Sequence, residues 1–358
     1  MPCIVAAFLF PFAAHLSSIP ALAAFFAIPP IVLATYGAGL AILVAGLIVA
    51  FRGEIPRARG LDKIVCLGPV LYAVPLAVFG AEQLAAARGI ATMVPHWIPW
   101  HIFWAIFVGM ALIAAAVSLA LQRVAALASA LVGLMFFLFV VLMDVEGLAA
   151  APTNRFAQVL TLRELTFSAC AFTLASTLAT SRWRSAAHRL ATAARYVVGV
   201  VVIFYGVEQF LHPQFVPVIP LELHMPAYIP FHPLWAYGVG AAEVAAGVTM
   251  LANWRARLAA TLLGIVICVV TVLVYGPILA AHPGNIDVGM NYFADTLFFG
   301  GDILLLAGSI PPGGRERSAT QQGAAGRLAV LGGSDPKAEA TPRRRGVERF
   351  GQRTRIDS

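Results

Sequence analysis

Long apolar runs, separated by short charged or proline- and glycine-rich breaks, dominate the pattern of this chain. Nine of these runs approach the roughly 20 residues that a helix needs to cross the hydrocarbon core of a bilayer. They lie at 29–51, 64–86, 101–121, 125–143, 162–180, 195–211, 233–252, 258–280 and 289–309. The first 20 residues lack the basic start and the small-residue cleavage site of a signal peptide, and they form a tenth candidate span. The pattern predicts an all-α, polytopic transmembrane helix bundle.

The composition supports the same class. The 358 residues are 60% hydrophobic and only 11% charged, with a mean hydropathy of +0.85, whereas soluble proteins are about 25% charged. A soluble domain of this composition would have too few polar residues to cover its surface. An ordinary soluble enzyme, a disordered protein and a secreted disulfide scaffold are therefore excluded, and the lipid bilayer is the first predicted partner.

Basic residues between the runs are distributed unevenly. One face collects eleven of them and the other face three. The first set is Arg52, Arg57, Arg59, Lys63, Arg123, Arg182, Arg184, Arg189, Arg195, Arg255 and Arg257, and the second is Arg88, Arg155 and Arg163. Because cytoplasmic loops are enriched in Lys and Arg, the first face and the C-terminal tail are predicted to lie in the cytoplasm, with the chain in the cell inner (plasma) membrane. Interface anchors are predicted among the aromatic and histidine residues of the opposite face: Trp97, Trp100, His101, His232 and Trp235.

The C-terminal end differs in composition from the rest of the chain. Residues 311–358 carry ten Lys and Arg against five acids and are rich in Gly, Ser, Pro and Gln. Such a segment cannot bury enough apolar surface to order itself. It predicts a disordered basic cytoplasmic tail, and a basic tail at this face already follows from topology without a nucleic-acid partner.

Sequence blocks of the first half recur in the second half. Phe79–Leu84 recurs as Tyr205–Phe210, and Pro95–Trp104 recurs as Pro226–Trp235. The offset is 126 residues in the first block and 131 residues afterwards, which a five-residue insertion in the 213–225 loop explains. The body is therefore predicted to contain an internal repeat.

Each repeated unit holds four runs, and an even number gives both copies the same orientation in the membrane. The predicted organisation has four parts. They are an N-terminal transmembrane extension of one or two spans (1–60), a first four-helix unit (61–181), a second four-helix unit (195–310) and the tail (311–358).

The second unit carries motifs that resemble the DoxX-like family of four-helix membrane proteins. These motifs are Gly206–Phe210, Tyr228–Pro230, Gly240–Gly247, Arg257–Ala260 and Phe299–Asp302. On this resemblance, nearly the whole body is two tandem DoxX-like units. The resemblance implies little about activity, because some members resemble subunits associated with quinone-linked thiosulfate oxidation and most have no known activity.

The first unit departs from the second at two acidic positions. It has Leu112 where the second has Glu243, and Ala171 where the second has Asp302. Gln209 stands where the family resemblance leads us to expect histidine. The second unit is accordingly predicted to be the chemically active copy.

Ionisable groups inside membrane spans cost about 2.5–3.5 kcal/mol each at the bilayer centre and are functional candidates. Glu82 and Glu208 occupy matched positions near the ends of their runs, as do Glu164 and Asp295. A shared binding role and a helix-to-helix hydrogen bond both explain such repeat-matched carboxylates.

Glu243 and Asp302 lie deeper in their runs. If their helices are neighbours, the two carboxyls could share one proton. Alternatively, each is protonated and hydrogen-bonded to a backbone carbonyl. The candidate polar pocket comprises Glu208, Glu243, Asp295 and Asp302.

Three functions remain open at this stage. The first is a membrane component of a quinone-linked redox system, with carboxyls that handle protons and electrons that come from a redox partner. The second is a small-molecule or proton-coupled transporter, and the third is a non-catalytic membrane scaffold. No catalytic residue and no metal ligand set is assigned, no cofactor other than a quinone is implied, and a homo-oligomer is an alternative partner.

Overall fold

The computed structural model describes residues 28–179, 184–219 and 221–311. The predicted tenth span in residues 1–20 lies outside the described residues, and so does all of the predicted tail beyond residue 311. Within the described ranges the chain is helical apart from its connecting loops and one isolated β-bridge between Phe215 and His224. The predicted all-α, polytopic helix bundle is confirmed.

Nine long helices form the described body, and each overlaps one of the nine predicted runs, although α5 begins seven residues before its run. They are α1 Pro30–Arg52, α2 Gly68–Ala85, α3 His101–Ala120, α4 Ala125–Ala150, α5 Arg155–Leu178, α6 Arg184–Leu211, α7 His232–Leu251, α8 Ala256–Ala281 and α9 Tyr292–Ser309. A π-helical turn interrupts α4 at Val140–Asp144 and α8 at Thr271–Tyr275, and a third, Ile286–Asn291, leads into α9. Short helical turns at Asp62–Val65 and Ala87–Ile90 flank α2.

Seven described helices, all except α5 and α9, are long and apolar enough to cross a membrane. The two exceptions carry several of the charged residues of the bundle interior. α5 contains Arg155, Arg163 and Glu164, and α9 contains Asp295 and Asp302. These two helices contact each other, so their polar groups face protein rather than lipid.

Helix α9 is the centre of the packing. It contacts α2, α5 and α8, and an unbroken run from Phe298 to Ala307 is buried. Its Phe298 ring lies 4.2 Å from the Phe167 ring and 4.5 Å from the Tyr72 ring, measured between centroids. At Gly301 an added Cβ would lie 2.7 Å from the backbone nitrogen of Tyr72, so α9 and α2 approach closely only because this position has no side chain.

Several contacts recur at positions that match in the predicted repeat. A Cβ added at Gly80 would lie 2.9 Å from the Gly109 carbonyl oxygen, and one at Gly206 would lie 2.6 Å from the Gly240 carbonyl oxygen. The π turns of α4 and α8 are separated by 131 residues, the offset of the predicted repeat. The same offset separates Trp100 and Phe231, which both have a left-handed backbone conformation. These correspondences support two tandem units, which stay a prediction.

The start of α6 differs from its predicted position. The predicted run began at residue 195, but the helix begins at Arg184. Its first turns contain alanine, leucine and arginine, which favour helix without being continuously apolar. Arg195, predicted to lie in a loop, is buried within α6 and donates a hydrogen bond to the side-chain oxygen of Asn253.

Candidate functional site

The proline-rich end of the bundle, where α2 and α6 end and α3 and α7 begin, holds most of the polar interactions of the described interior. Arg163, predicted to be an external loop residue, instead lies within α5 and pairs with Asp295 on α9. The same guanidinium lies 3.5 Å from Glu164, measured from Nη2 to Oε1. The matched acids Glu164 and Asp295 therefore meet around one arginine between α5 and α9.

A second ion pair joins α5 to α6. The Nε atom of Arg155 lies 3.7 Å from Oε2 of Glu208, and Nε2 of His212 lies at the same distance from that oxygen. The Arg155 guanidinium also lies over the Phe215 ring, 4.6 Å from its centroid. Glu208 is thus held in an ionic contact at the interface of the two predicted units.

Glu82, the counterpart of Glu208, has a weaker polar partner. Its Oε1 accepts a hydrogen bond of 3.3 Å from the side-chain amide of Asn291, at the start of α9. Both members of this matched pair therefore bridge neighbouring helices, as the helix-to-helix alternative predicted.

Glu243 is placed differently, because it is fully buried and neither of its carboxyl oxygens has a hydrogen-bond partner among the described residues. It lies eleven residues after the start of α7, about 16 Å along the helix axis. Helix α7 packs against α6 and α8, which carry the hydroxyls of Tyr205 and Tyr275. Those two hydroxyls donate to the carbonyls of Val159 and Pro217 respectively.

Asp302 lies in another part of the bundle. It is fully buried on α9, with neither oxygen paired to a nitrogen or oxygen donor in the described part of the chain. Its surroundings are Cys170 on α5 and Tyr72 on α2. Cys66, Cys170 and Cys268 are free thiols.

The structure therefore divides the predicted pocket. Asp295 on α9 and Glu243 on α7 lie on helices that both contact α6 and α8, which carry Tyr205 and Tyr275. We group these two acids with Arg163, the partner of Asp295, as one polar cluster. Asp302 lies seven residues after Asp295 on the same face of α9, about 10 Å further along the helix axis, and α8 packs between α7 and α9. The arrangement gives the predicted proton shared by Glu243 and Asp302 no support.

Sequence reasoning missed two kinds of residue in this cluster. Arg163 could have been found from its position beside Glu164 in an apolar run. Glu164 and Asp295 are a repeat-matched pair of buried carboxyls, and a buried carboxylate needs a cation near it. Asp144, which ends the π turn of α4, lies within hydrogen-bonding reach of Glu164. Its matched position in the second unit is Tyr275, so the change of residue type concealed the correspondence.

The predicted interface anchors separate into two groups. Trp97 and Trp100 are exposed. The two histidines instead contact proline carbonyls: Nε2 of His101 lies 3.3 Å from the Pro95 oxygen, and Nε2 of His232 lies 3.0 Å from the Pro226 oxygen.

Trp235 differs from Trp97 and Trp100 in its exposure. It is buried, and its Nε1 donates a 3.0 Å hydrogen bond to the carbonyl of Pro230. Because the indole N–H finds this acceptor within the protein, the ring lies inside the bundle.

The segment between α6 and α7 covers this end of the second unit. We call its residues 213–219 and 221–225 the plug. The backbone N–H groups of Val216 and Met225 donate 2.9 Å hydrogen bonds to Leu223 and Gln214, which joins the two halves of the plug. The buried side chains of the plug are Val216, Pro217, Val218, Ile219, Leu221 and Met225. The predicted five-residue insertion falls within this partly buried segment.

Among the described residues, no group of three or more His, Cys, Asp or Glu side chains is arranged to hold a metal ion. The best-formed surface depressions of this part of the chain are open grooves at Trp100–Phe103 and Val44–Arg52. Neither groove is lined by the buried acids.

The helices and the buried acids define the class of the protein as a multi-pass helical membrane protein. Residues 190–276 match the DoxX family model. This part of the chain is therefore similar to the DoxX family, as the sequence resemblance predicted, and the matched stretch contains α7 with Glu243. Neither the curated proteins nor the solved structures include a match to the chain.

Proposed function

We propose that this protein is a membrane component of a quinone-linked redox system, in which Glu243 exchanges a proton that accompanies electron transfer. Reduction of a quinone to a quinol takes up two electrons and two protons, and a carboxyl near the ring is a suitable proton donor. The electrons would come from a redox partner. The site would lie among Glu243, Tyr205 and Tyr275.

The observation that carries this proposal is the unpaired state of Glu243. A charged carboxylate without a partner is very costly in a buried, low-dielectric site, so the neutral, protonated form is favoured. Glu208, Asp295 and Glu164 have ionic partners, whereas Glu243 has none in the described structure. Glu243 is therefore suited to hold and release a proton.

The helices next to Glu243 carry aromatic and hydroxyl side chains that a quinone ring would contact. Tyr205 and Tyr275 present hydroxyls on two different helices, and the Phe299 ring lies 5.6 Å from the Tyr205 ring. Each tyrosine hydroxyl keeps acceptor capacity after donating to a backbone carbonyl. A bound quinone would supply the two-electron chemistry, while these side chains would orient the ring and hold the proton.

A proton-coupled transporter of small molecules is the second candidate. Both Glu243 and Asp302 are buried at separate positions deep in the described bundle, without a nitrogen or oxygen donor there, and intramembrane acids of this kind also mark transport pathways. In the scaffold alternative the same acids only stabilise helix packing. We place the chain in the cell inner (plasma) membrane, with the arginine-rich loops and the C-terminal tail in the cytoplasm, because the asymmetry of basic loop residues persists without Arg163 and Arg195.

The test is to purify the full chain and extract bound quinone into organic solvent for detection by absorbance. We expect quinone in the wild-type protein, a large loss in Glu243→Gln, and little change in Glu82→Gln, which removes a carboxyl held by Asn291 in the other unit. Uptake into proteoliposomes that is lost in Glu243→Gln, with no bound quinone, would favour the transporter instead. If Glu243→Gln and Asp302→Asn alter only thermal stability, the scaffold alternative is correct.

A further inference from the structure

The plug has no equivalent at the corresponding place in the first unit. Of residues 86–99, which join α2 to α3, only Ala91 is buried. The plug instead inserts six buried side chains into the bundle, and it contains the extra residues of the predicted insertion. A loop that only connected two helices would lie on the surface, so the burial of this segment indicates a specific role in the second unit.

The plug is attached directly to the polar cluster. The Tyr275 hydroxyl donates a hydrogen bond to the carbonyl of Pro217, and the Gln209 side-chain amide donates to the carbonyl of Phe215 at 3.3 Å. Tyr292, at the start of α9, interacts with the backbone of Leu223. Tyr275 thus contacts the plug with its hydroxyl, and its helix, α8, packs against α7, which carries Glu243.

The plug reaches the aqueous surface on its other side. Glu222 and His224 are exposed, whereas Pro217 and Val218 are buried on the side of Tyr275. Val218 has a backbone φ of 84°, a left-handed conformation that is a genuine outlier for a β-branched residue. A strained conformation persists only where the surrounding contacts hold it, and for the plug these contacts include the hydrogen bonds from Tyr275 and Gln209.

We propose that the plug is a gate on a proton route from the aqueous surface to Glu243, and that Tyr275 is the residue that anchors the gate. This inference rests on the proposed role of Glu243 as a proton-exchanging group. In the closed state, the plug separates Glu243 from water. When the bond from Tyr275 to Pro217 breaks, the plug moves outward and Glu243 becomes accessible past the tyrosine ring.

The experiment measures access to Glu243 with a water-soluble carbodiimide, which modifies carboxyl groups and is detected by peptide mass spectrometry. The full-length protein is compared with Tyr275→Phe, which removes only the anchoring hydroxyl. The matched control is Tyr205→Phe, because this hydroxyl is also near Glu243 but donates to Val159 on α5 and does not contact the plug. Glu243→Gln identifies the modified peptide.

We expect modification of Glu243 to rise roughly two- to tenfold in Tyr275→Phe, the change in open population that follows from loss of one hydrogen bond. Tyr205→Phe should stay at the wild-type level. Unchanged modification in Tyr275→Phe overturns the gate, and so does an equal rise in both variants, because that result indicates general loosening.

Hydrogen exchange on the wild-type protein keeps the proposal testable if Tyr275→Phe does not fold. The plug amides of Val216 and Met225 should exchange faster than those of α8, and exchange together with α8 would overturn the gate. Bound quinone is measured separately. An absence of quinone with raised Glu243 modification in Tyr275→Phe contradicts the proposed function alone, whereas bound quinone with unchanged modification contradicts the gate alone.

Discussion

Replacing Arg163 with methionine tests whether the buried ion pair between α5 and α9 holds the two predicted units together. Both side chains are mostly buried, with relative exposures of 16% for Arg163 and 11% for Asp295. Removing one partner of a buried pair leaves the other charge uncompensated, which costs about 3–5 kcal/mol. We expect a loss of this size in the free energy of unfolding, measured by denaturant titration in detergent micelles.

The double variant Arg163→Met with Asp295→Asn separates the ion pair from simple packing. Because it removes both charges, it should be more stable than Arg163→Met alone, and the two single effects should not add. The control is Asp62→Asn, which breaks the pair with Arg257 at the other end of the bundle, where Asp62 is 52% exposed. Such a surface pair is worth about 0–1 kcal/mol. If Arg163→Met costs no more than Asp62→Asn, or if the second substitution restores nothing, the pair does not stabilise the bundle.

Two further predictions concern packing. Gly301→Ala should destabilise the protein by about 1–3 kcal/mol, because its Cβ would meet the backbone of Tyr72. The control Gly37→Ala should not destabilise it, because nothing lies within 4 Å of the added Cβ. Equal melting temperatures of the two variants would contradict the close approach of α9 to α2. Trp235→Phe should cost at least the roughly 0.5–1.5 kcal/mol of its hydrogen bond to Pro230, and Trp97→Phe, at an exposed position, should be close to neutral in the same thermal assay.

The sequence was sufficient for the helices because lipid-facing segments must be continuously apolar. The start of α6 was less predictable, because its first turns mix alanine and arginine and resemble a loop by hydropathy alone. The closeness of Arg163 to Asp295 could not be derived either, since it depends on which helices are neighbours rather than on spacing along one helix. For the same reason, depth along a helix suggested that Glu243 and Asp302 meet, although they face different partners.

The insertion in the 213–225 loop shows a similar limit. A comparison of the two repeats locates the extra residues, and their apolar character is visible in Val216, Val218 and Ile219. Burial of the segment follows from tertiary contacts with Tyr275 and Gln209, which no local pattern encodes.

The separation of Arg163 and Asp295 along the chain has a consequence for synthesis in the cell. The two residues are 132 positions apart, so at ribosomal speeds of roughly 5–20 residues per second α5 emerges about 7–26 s before α9. During that interval the adjacent Glu164 is the nearest counter-charge for the arginine along the chain. Helix α9 thus completes the packing around α5 in the first half of the protein. Until α9 arrives, the membrane insertion machinery has to accommodate the charged residues of α5.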